Sequence, residues 1–201
     1  DTDWFYPREE RHPAVDSEKM SLLYVGRLGA RKGLGLALRA LAQVESNDVE
    51  FLIAGTGRHE ERLRKLAQEL GIQEQVRFLG YVDDADLPEL YSSADVFILP
   101  SKYEGFGLVL LEAIACGTPV IGADAGGIPT AVDDGVDGFV VERNEGSLAG
   151  AIKEMIQDDQ MREEMEKASI QDRKSRSWDR AIQQTENVYS AFTRARTQEE
   201  A

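Results

Sequence analysis

A short apolar run, a turn and an amphipathic stretch follow one another repeatedly along this chain, and this alternation restricts the fold more than any other feature. Short apolar runs between turn residues are typical of buried strands, and longer stretches with helical spacing of apolar residues are typical of helices. The predicted strands are Leu22–Val25, Val49–Ala54, Val76–Leu79, Val96–Leu99, Pro119–Gly122 and Gly138–Val141. The predicted helices are Leu34–Ala42, Arg58–Leu70, Leu87–Ser93, Gly107–Cys116 and Ser147–Gln157.

Alternating strands and helices predict an α/β fold, here a Rossmann-like doubly wound parallel sheet of about six strands with helices on both faces. After the last predicted strand, only charged helical sequence follows, from Ser147 to about Arg194 with a break near Ser175–Trp178. This sequence predicts a C-terminal helical tail. The opening segment 1–17 has no periodicity and contains prolines, which is typical of a linker.

Composition excludes several classes of protein. The net charge of −14 argues against a broad contact with nucleic acid or an anionic membrane, since both are polyanions. The single cysteine, Cys116, excludes a disulfide scaffold or a multi-cysteine metal site, and its apolar neighbours predict a packed core residue in a reducing cytoplasm. The acidic excess also suggests a self-repelling surface, and from it we hypothesise a halophilic source.

Two cations flank the turn after the first predicted strand. In open parallel sheets, ligands bind beyond the carboxyl ends of the strands. Arg27 and Lys32 should lie there, near a helix N-terminus that favours anions, and this arrangement suits a diphosphate. For the pair taken alone, two solvated surface cations is the favoured interpretation. Gly26 and Gly29 favour a ligand site because they permit close approach of the backbone.

The segment EGFGLVLLE places Glu104 in a turn and Glu112 inside the helix that follows. That helix is apolar on nearly every face, which predicts burial. A buried carboxylate must accept hydrogen bonds or become neutral, and vicinal sugar hydroxyls would suit Glu112. Glu104 sits beside glycines whose amides could hold phosphate or sugar oxygens, although it could instead be an acid that complements the helix dipole.

Weaker candidates surround these residues. The pair Gly55 and Gly57 indicates a turn, and the pair Gly126 and Gly127 indicates a flexible turn that could approach a substrate. Three acids could ligate a divalent cation, but they also precede a predicted helix, so capping is the favoured interpretation. These acids are Asp83, Asp84 and Asp86.

Taken in order, these segments resemble a known family. They are YVGRLGARKGLGLALRAL, IAGTGRHEERL, VRFLGYV and ADVFILPSKYEGFGLVLLEAIACGTPVIGADAGGIPTAVDDGVDGFVV. They are similar to the C-terminal half of the group-one, family-four retaining glycosyltransferases, which have the GT-B fold. The likeness covers essentially the whole chain, because DTDWFYP is similar to the linker into that half. At the other end, SWDRAIQQTENVYSAF resembles its closing helix, which in the family crosses back onto the N-terminal domain.

The resemblance implies a role for each candidate residue. Arg27 and Lys32 would neutralise the departing diphosphate, and Glu104 would contact the donor sugar, so these three are the predicted catalytic residues. Glu112 would hold the ribose hydroxyls, and the backbone of the Tyr81–Val82 turn would lie near the nucleobase. The predicted donor-binding residues are Gly26, Gly29, Tyr81, Val82, Gly105, Phe106, Gly107, Leu108 and Glu112.

The resemblance also implies an organisation and a reaction. We expect a linker over 1–17, a nucleotide-sugar-binding Rossmann-like domain over 18–178, and a crossover helix and tail over 179–201. The whole protein would transfer a sugar from a nucleoside diphosphate to an acceptor hydroxyl with retention. It would need no cofactor and no essential metal. An N-terminal acceptor-binding domain outside this chain would complete the site, so we expect the isolated domain to be inactive. We expect cytoplasmic localisation, with any contact to the inner membrane face made by that other domain.

Two other functions share this fold. A nucleotide-sugar epimerase would use the same diphosphate site without a separate acceptor. A non-catalytic nucleotide-sugar-binding module would bind the donor and do no chemistry. Glu104 favours a site for a nucleotide sugar over a site for a nucleotide alone, because a sensor of the bare nucleotide has no evident need for a residue that contacts sugar.

Overall fold

A single parallel sheet organises the chain. The computed structural model describes residues 1–199, with side chains through residue 190, so residues 200 and 201 of the predicted tail lie outside the described residues. The six strands are β1 (Met20–Val25), β2 (Val49–Ala54), β3 (Val76–Gly80), β4 (Val96–Leu99), β5 (Val120–Ala123) and β6 (Gly138–Val141). They pair in the order β3-β2-β1-β4-β5-β6, and every pairing is parallel.

Helices cover both faces of this sheet and continue beyond it. They are α1 (Leu34–Ala42), α2 (Glu60–Glu69), α3 (Leu87–Ser93), α4 (Leu108–Ala115), α5 (Ile128–Ala131), α6 (Glu145–Gln157), α7 (Asp159–Asp172) and α8 (Trp178–Glu199). Two short 3-10 turns, Ala30–Lys32 and Arg173–Arg176, precede α1 and α8. The predicted doubly wound α/β fold with a helical tail is therefore confirmed.

The strand order reverses direction at one place on the sheet. The chain leaves β1 towards β2 on one side, whereas it leaves β4 towards β5 on the other side. Because β1 and β4 are neighbours, the two connections diverge at the carboxyl ends of these strands, where open parallel sheets bind their ligands, and we call this position the β1–β4 crevice. The connection from β3 through α3 to β4 passes over β2 and β1, and it brings the β3–α3 loop to the same edge.

The centre of the sheet is a buried core. All six residues of β2 and all four residues of β4 are buried, as expected for strands covered on both faces. Ser21 in β1 is fully buried, and its hydroxyl donates to Asp95 Oδ2 at 2.7 Å. A rigid sheet of this kind fixes the positions of the loops that leave it.

The opening segment lies packed against α3. Residues 1–17 contain no helix or strand. The ring of Phe5 meets Tyr91 edge-to-face with centroids 6.0 Å apart. The backbone amides of Arg8 and His12 donate to the hydroxyls of Ser92 and Ser93. The segment is thus held by specific contacts and does not hang free.

One arginine fastens the turn before α8 to the body of the domain. The guanidinium of Arg176 donates to the Ala131 carbonyl and pairs with Asp133 and with the buried Asp137. Burial raises the pKa of Asp137, and the nearby Arg176 opposes that rise. Within the part of the chain that the structure describes, no helix combines the length and hydropathy that crossing a bilayer requires.

Candidate functional site

Arg27 and Lys32 both follow β1 and lie at the crevice, as predicted. Lys32 Nζ donates to Glu104 Oε2 at 2.7 Å, which joins the loop after β1 to the loop after β4. The Arg27 side chain is exposed, and no described residue pairs with it. The Lys32–Glu104 contact brings together the residue predicted to bind phosphate and the residue predicted to contact the sugar.

Tyr24 supports the loop that carries Arg27. Its side chain is fully buried under the loop, and its hydroxyl donates to the Arg27 carbonyl at 3.0 Å. Burial, with the nearby Glu104 carboxylate, raises the pKa of Tyr24, so the hydroxyl keeps its proton and acts as a donor. Gly26 has a φ of +146°, and a Cβ there would lie 3.0 Å from the Tyr24 hydroxyl oxygen. Sequence patterns did not find Tyr24, because in a strand it counts only as a core aromatic.

The loops around the crevice pack on one another through glycines. A Cβ at Gly33 would lie 1.9 Å from the Pro100 carbonyl oxygen, and a Cβ at Gly55 would lie 2.0 Å from that of Gly26. The amide of Lys102 donates to the Arg31 carbonyl at 2.7 Å. The Gly55 and Gly57 pair, predicted to form a turn, therefore supports the loop after β1.

The turn at Gly126 and Gly127 fixes Glu104 in place. Gly127 N donates to the Glu104 carbonyl at 3.0 Å. A Cβ at Gly126 would lie 2.0 Å from that same oxygen, and one at Gly127 would lie 2.2 Å from the Gly105 carbonyl oxygen. We predicted a flexible turn that approaches a substrate; the structure instead shows a turn packed tightly against the backbone of the Glu104 loop.

The helix α4 is less buried than its composition predicted. Its inner side packs into the core, but the side chain of Leu108 is 50% exposed and that of Glu112 is half-buried. The reason is that the outer side of α4 borders a cavity of about 470 Å³ instead of another layer. The residues lining that cavity include Phe5, Phe106, Leu108, Leu111, Glu112, Arg173, Arg176 and Trp178.

Glu112 has the partner that a carboxylate in this position requires. The hydroxyl of Tyr91 donates to Glu112 Oε2 at 3.0 Å. Burial raises the pKa of Glu112, the Tyr91 hydrogen bond lowers it, and the Asp84 charge raises it. Because Tyr91 belongs to α3, this hydrogen bond ties the β3–α3 connection, which also contains Tyr81 and Val82, to α4.

The remaining predicted donor-binding residues line the same edge of the sheet. Gly105 and Phe106 are exposed in the turn before α4, and Gly107 precedes its first residue with a φ of +75°. Tyr81 is 69% exposed in the β3–α3 loop. Apolar side chains that reach solvent at this edge give a ligand surfaces on which to pack.

The acids before α3 are not capping residues in the predicted sense. Asp86 stands at the N-cap of α3, but its side chain makes no cap hydrogen bond, and the turn is closed by the Asp86 amide donating to the Asp83 carbonyl. The prediction of side-chain capping is therefore wrong. Among residues 1–199, no group of three or more histidine, cysteine or acidic side chains could hold a metal ion.

Cys116 lies in the core, as predicted. It is 3% exposed, and burial raises the pKa of its thiol to about 12. A thiol with so high a pKa stays protonated at neutral pH and is a poor nucleophile.

Comparison with known proteins identifies the family to which this fold belongs. The profile of the family described as Glycosyl transferases group 1 matches residues 6–172. An uncharacterized glycosyltransferase, MJ1607 of Methanocaldococcus jannaschii, is 38% identical over 177 residues, which cover 87% of this chain and 45% of the relative. A D-inositol 3-phosphate glycosyltransferase of Corynebacterium aurimucosum is 33% identical over 198 residues, which cover 94% of this chain and 47% of the relative. The chain thus spans about half the length of these relatives.

Solved structures agree. Sucrose-phosphate synthase from Thermosynechococcus elongatus superimposes with a TM-score of 0.85 at 30% identity, covering 96% of this chain and 51% of that one. Anabaena Alr3699/HepE in complex with UDP-glucose superimposes with a TM-score of 0.78 at 29% identity, covering 87% of this chain and 50% of that one. The C-terminal domain of a group 1 glycosyl transferase, LpcC from Francisella tularensis, superimposes with a TM-score of 0.75 at 25% identity, covering 85% of this chain and 94% of that one. The chain belongs to the group 1 glycosyl transferases and corresponds to their C-terminal domain.

Proposed function

We propose that this chain is the donor-binding half of a retaining glycosyltransferase and that its donor is a uridine diphosphate sugar. The observation that carries the proposal is the Lys32–Glu104 contact across the β1–β4 crevice, beside the exposed Arg27. One point there offers two cations for a diphosphate and a carboxylate for sugar hydroxyls. The likeness to Alr3699/HepE, solved with UDP-glucose, supports uridine as the base.

Each part of the donor has a matching group at the crevice. Arg27 and Lys32 neutralise the negative charge that develops on the leaving diphosphate, which is the electrostatic contribution to catalysis. Because Lys32 already pairs with Glu104, the diphosphate shares this cation with the carboxylate, and Glu104 stays oriented towards the sugar. The amides of the turn before α4, from Gly105 to Leu108, donate to phosphate or sugar oxygens.

Ribose and base occupy the far end of the site. The Glu112 carboxylate accepts from the ribose hydroxyls, since Oε1 receives no hydrogen bond from the residues that the structure describes. The base lies along the backbone of Tyr81 and Val82, in the loop whose Asp84 acts on Glu112. In this proposal the nucleotide extends from the β3–α3 loop to the β1–β4 crevice, with the sugar beside Glu104.

The remaining properties follow from the same proposal. A domain that binds the acceptor, supplied by the other half of the longer relatives, closes over the donor and excludes water, so the 201-residue chain alone does not turn over. The reaction uses no essential metal and takes place in the cytoplasm. We further propose that the strongly acidic surface makes the fold more stable in molar salt than in dilute buffer.

Isothermal titration calorimetry tests the proposal with uridine, guanosine and adenosine diphosphates and their glucose conjugates. We expect selective binding of UDP and UDP-glucose by the chain, and a markedly weaker but still measurable affinity for both in Glu112→Gln with an unchanged melting temperature. Equal affinity for all three diphosphates, or binding that Glu112→Gln leaves intact, would refute the assignment. Ser169→Ala is the control variant, because Ser169 donates to a carbonyl of its own helix, α7.

A further inference from the structure

Tyr91 is a buried polar side chain next to the proposed nucleotide site. It is fully buried in α3, and its ring meets Phe97 and Phe5 edge-to-face with centroids 5.5 and 6.0 Å apart. Its backbone carbonyl accepts from the Thr118 hydroxyl at 2.6 Å. The two aromatic contacts fix the ring, and its hydroxyl, the one polar group of the side chain, donates to Glu112 Oε2.

Glu112 itself has few other restraints. It is half-buried on the open side of α4, and no second donor among the described residues reaches its carboxylate. A glutamate side chain has three rotatable bonds, so fixing it for a ligand carries an entropy cost that an existing hydrogen bond removes beforehand. The Tyr91 hydroxyl holds one oxygen and leaves the other open to the cavity.

We propose that Tyr91 is the positioning residue for ribose recognition: its hydroxyl fixes the Glu112 carboxylate in the orientation that accepts the ribose hydroxyls, and so makes the site select ribonucleotides over 2′-deoxyribonucleotides. The inference rests on the proposed function, in which Glu112 binds ribose. Tyr91 does not touch the ligand; it acts through Glu112. Burial and the Glu112 charge raise the pKa of Tyr91, so the hydroxyl remains a donor across the working pH range.

Tyr91→Phe separates this role from packing. The substitution keeps the ring that contacts Phe97 and Phe5 and removes only the hydroxyl. We expect the Kd for UDP to rise roughly tenfold, as for the loss of a hydrogen bond to a charged group. The Kd for 2′-deoxy-UDP should change much less, because that ligand makes less use of Glu112. The ratio of the two affinities is a readout that a purely structural role would not move.

A double-mutant cycle with Glu112→Gln, measured by calorimetry with UDP, completes the test. We expect Tyr91→Phe to have almost no further effect on UDP affinity in the Glu112→Gln background, because Tyr91 then has no carboxylate to orient. Additive losses, or an unchanged UDP to 2′-deoxy-UDP ratio in Tyr91→Phe, would overturn the assignment of Tyr91 and leave the proposed function standing. If Tyr91→Phe does not fold, Thr118→Val provides the second variant, since it loosens the backbone of Tyr91, and the same fall in the ratio is expected.

Two further results separate the two proposals. Failure of the folded wild-type chain to bind UDP would overturn the proposed function, and the assignment of Tyr91 with it. Wild-type binding that Glu112→Gln weakens and Tyr91→Phe leaves unchanged would overturn the assignment of Tyr91 alone. Ser169→Ala, which also removes a buried hydroxyl, should leave every affinity unchanged.

Discussion

Adding one methyl group at Gly126 should damage the sugar end of the site without touching a proposed ligand-binding side chain. Gly126 has a φ of +60°, and a Cβ there would lie 2.0 Å from the Glu104 carbonyl oxygen. Since contacts of this kind under 3.0 Å are essentially never observed, the Glu104 loop must move by about 1 Å. The obstacle is backbone, which cannot rotate aside as a side chain can. The Lys32–Glu104 contact at 2.7 Å should not survive that displacement.

Gly135 provides the matched control. Its φ is +76°, close to that of Gly126, but nothing lies within 4 Å of a Cβ built there. Both Gly126→Ala and Gly135→Ala place a Cβ in the left-handed region, at a cost of about 1–2 kcal/mol. Each should therefore lower the melting temperature by roughly 2–8 °C. Only Gly126→Ala adds the clash with Glu104.

Calorimetry with UDP and UDP-glucose measures the difference between the two variants. We expect Gly126→Ala to weaken UDP-glucose by about tenfold or more, through lost hydrogen bonds to a charged group, and to weaken UDP less, because Glu112 lies at the other end of the site. Gly135→Ala should bind both ligands as the unchanged protein does. If both variants bind UDP-glucose equally well, Glu104 is not held by this turn or does not contact the sugar.

Three further predictions concern charge. Arg27→Ala should weaken UDP more than uridine in calorimetric titrations, because the exposed guanidinium serves the diphosphate; equal losses for the two ligands would remove Arg27 from the phosphate site. UDP affinity should be complete above the raised pKa of Glu112 and fall as the pH drops through it, since only the carboxylate accepts two hydroxyls. Tyr91 and Asp84 act on that pKa, and Arg173, Arg176 and Arg180 line the cavity that Glu112 borders. Glu112→Gln, which should lack this pH dependence, is therefore the comparison. Arg176→Met should lower stability by roughly 3 kcal/mol, or about 6–12 °C, because it leaves the buried Asp137 without its cation. Thermal melts of the double variant Arg176→Met/Asp137→Asn test the cause, because the introduced asparagine carries no charge to leave unpaired. A loss of stability as large as that of Arg176→Met alone would contradict it.

The sequence predicts the sheet well because each strand is a compact apolar run. The predicted bounds of β2, β4 and β6 are those observed. The strand β1 begins earlier than predicted, at Met20, because the buried Ser21 interrupts the apolar run and its polarity is satisfied by Asp95, far along the chain. The four-residue helix α5 escaped prediction, since Gly126, Gly127 and Pro129 indicate a turn.

In the candidate site, too, residues marked by a local sequence pattern were predicted, and residues whose role depends on distant partners were not. The pattern around Glu104 and the cations after the first strand marked the loops, and the strand order brings those loops together. Tyr24 and Tyr91 were not predicted, because an aromatic residue in a core element shows nothing of the group its hydroxyl reaches. Burial of α4 was overestimated for a related reason: composition shows that a helix can be covered, but only tertiary structure shows which side is.

A crystal structure of the chain with UDP-glucose would test the account most directly. We predict the diphosphate within hydrogen-bond distance of Arg27 and Lys32, the glucose beside Glu104, and the ribose hydroxyls on Glu112 with Tyr91 still bound to its other oxygen. A nucleotide bound elsewhere, for instance in a second cavity lined by residues of α1 and α2 such as Arg39 and Arg62, or a ribose that makes no contact with Glu112, would contradict it.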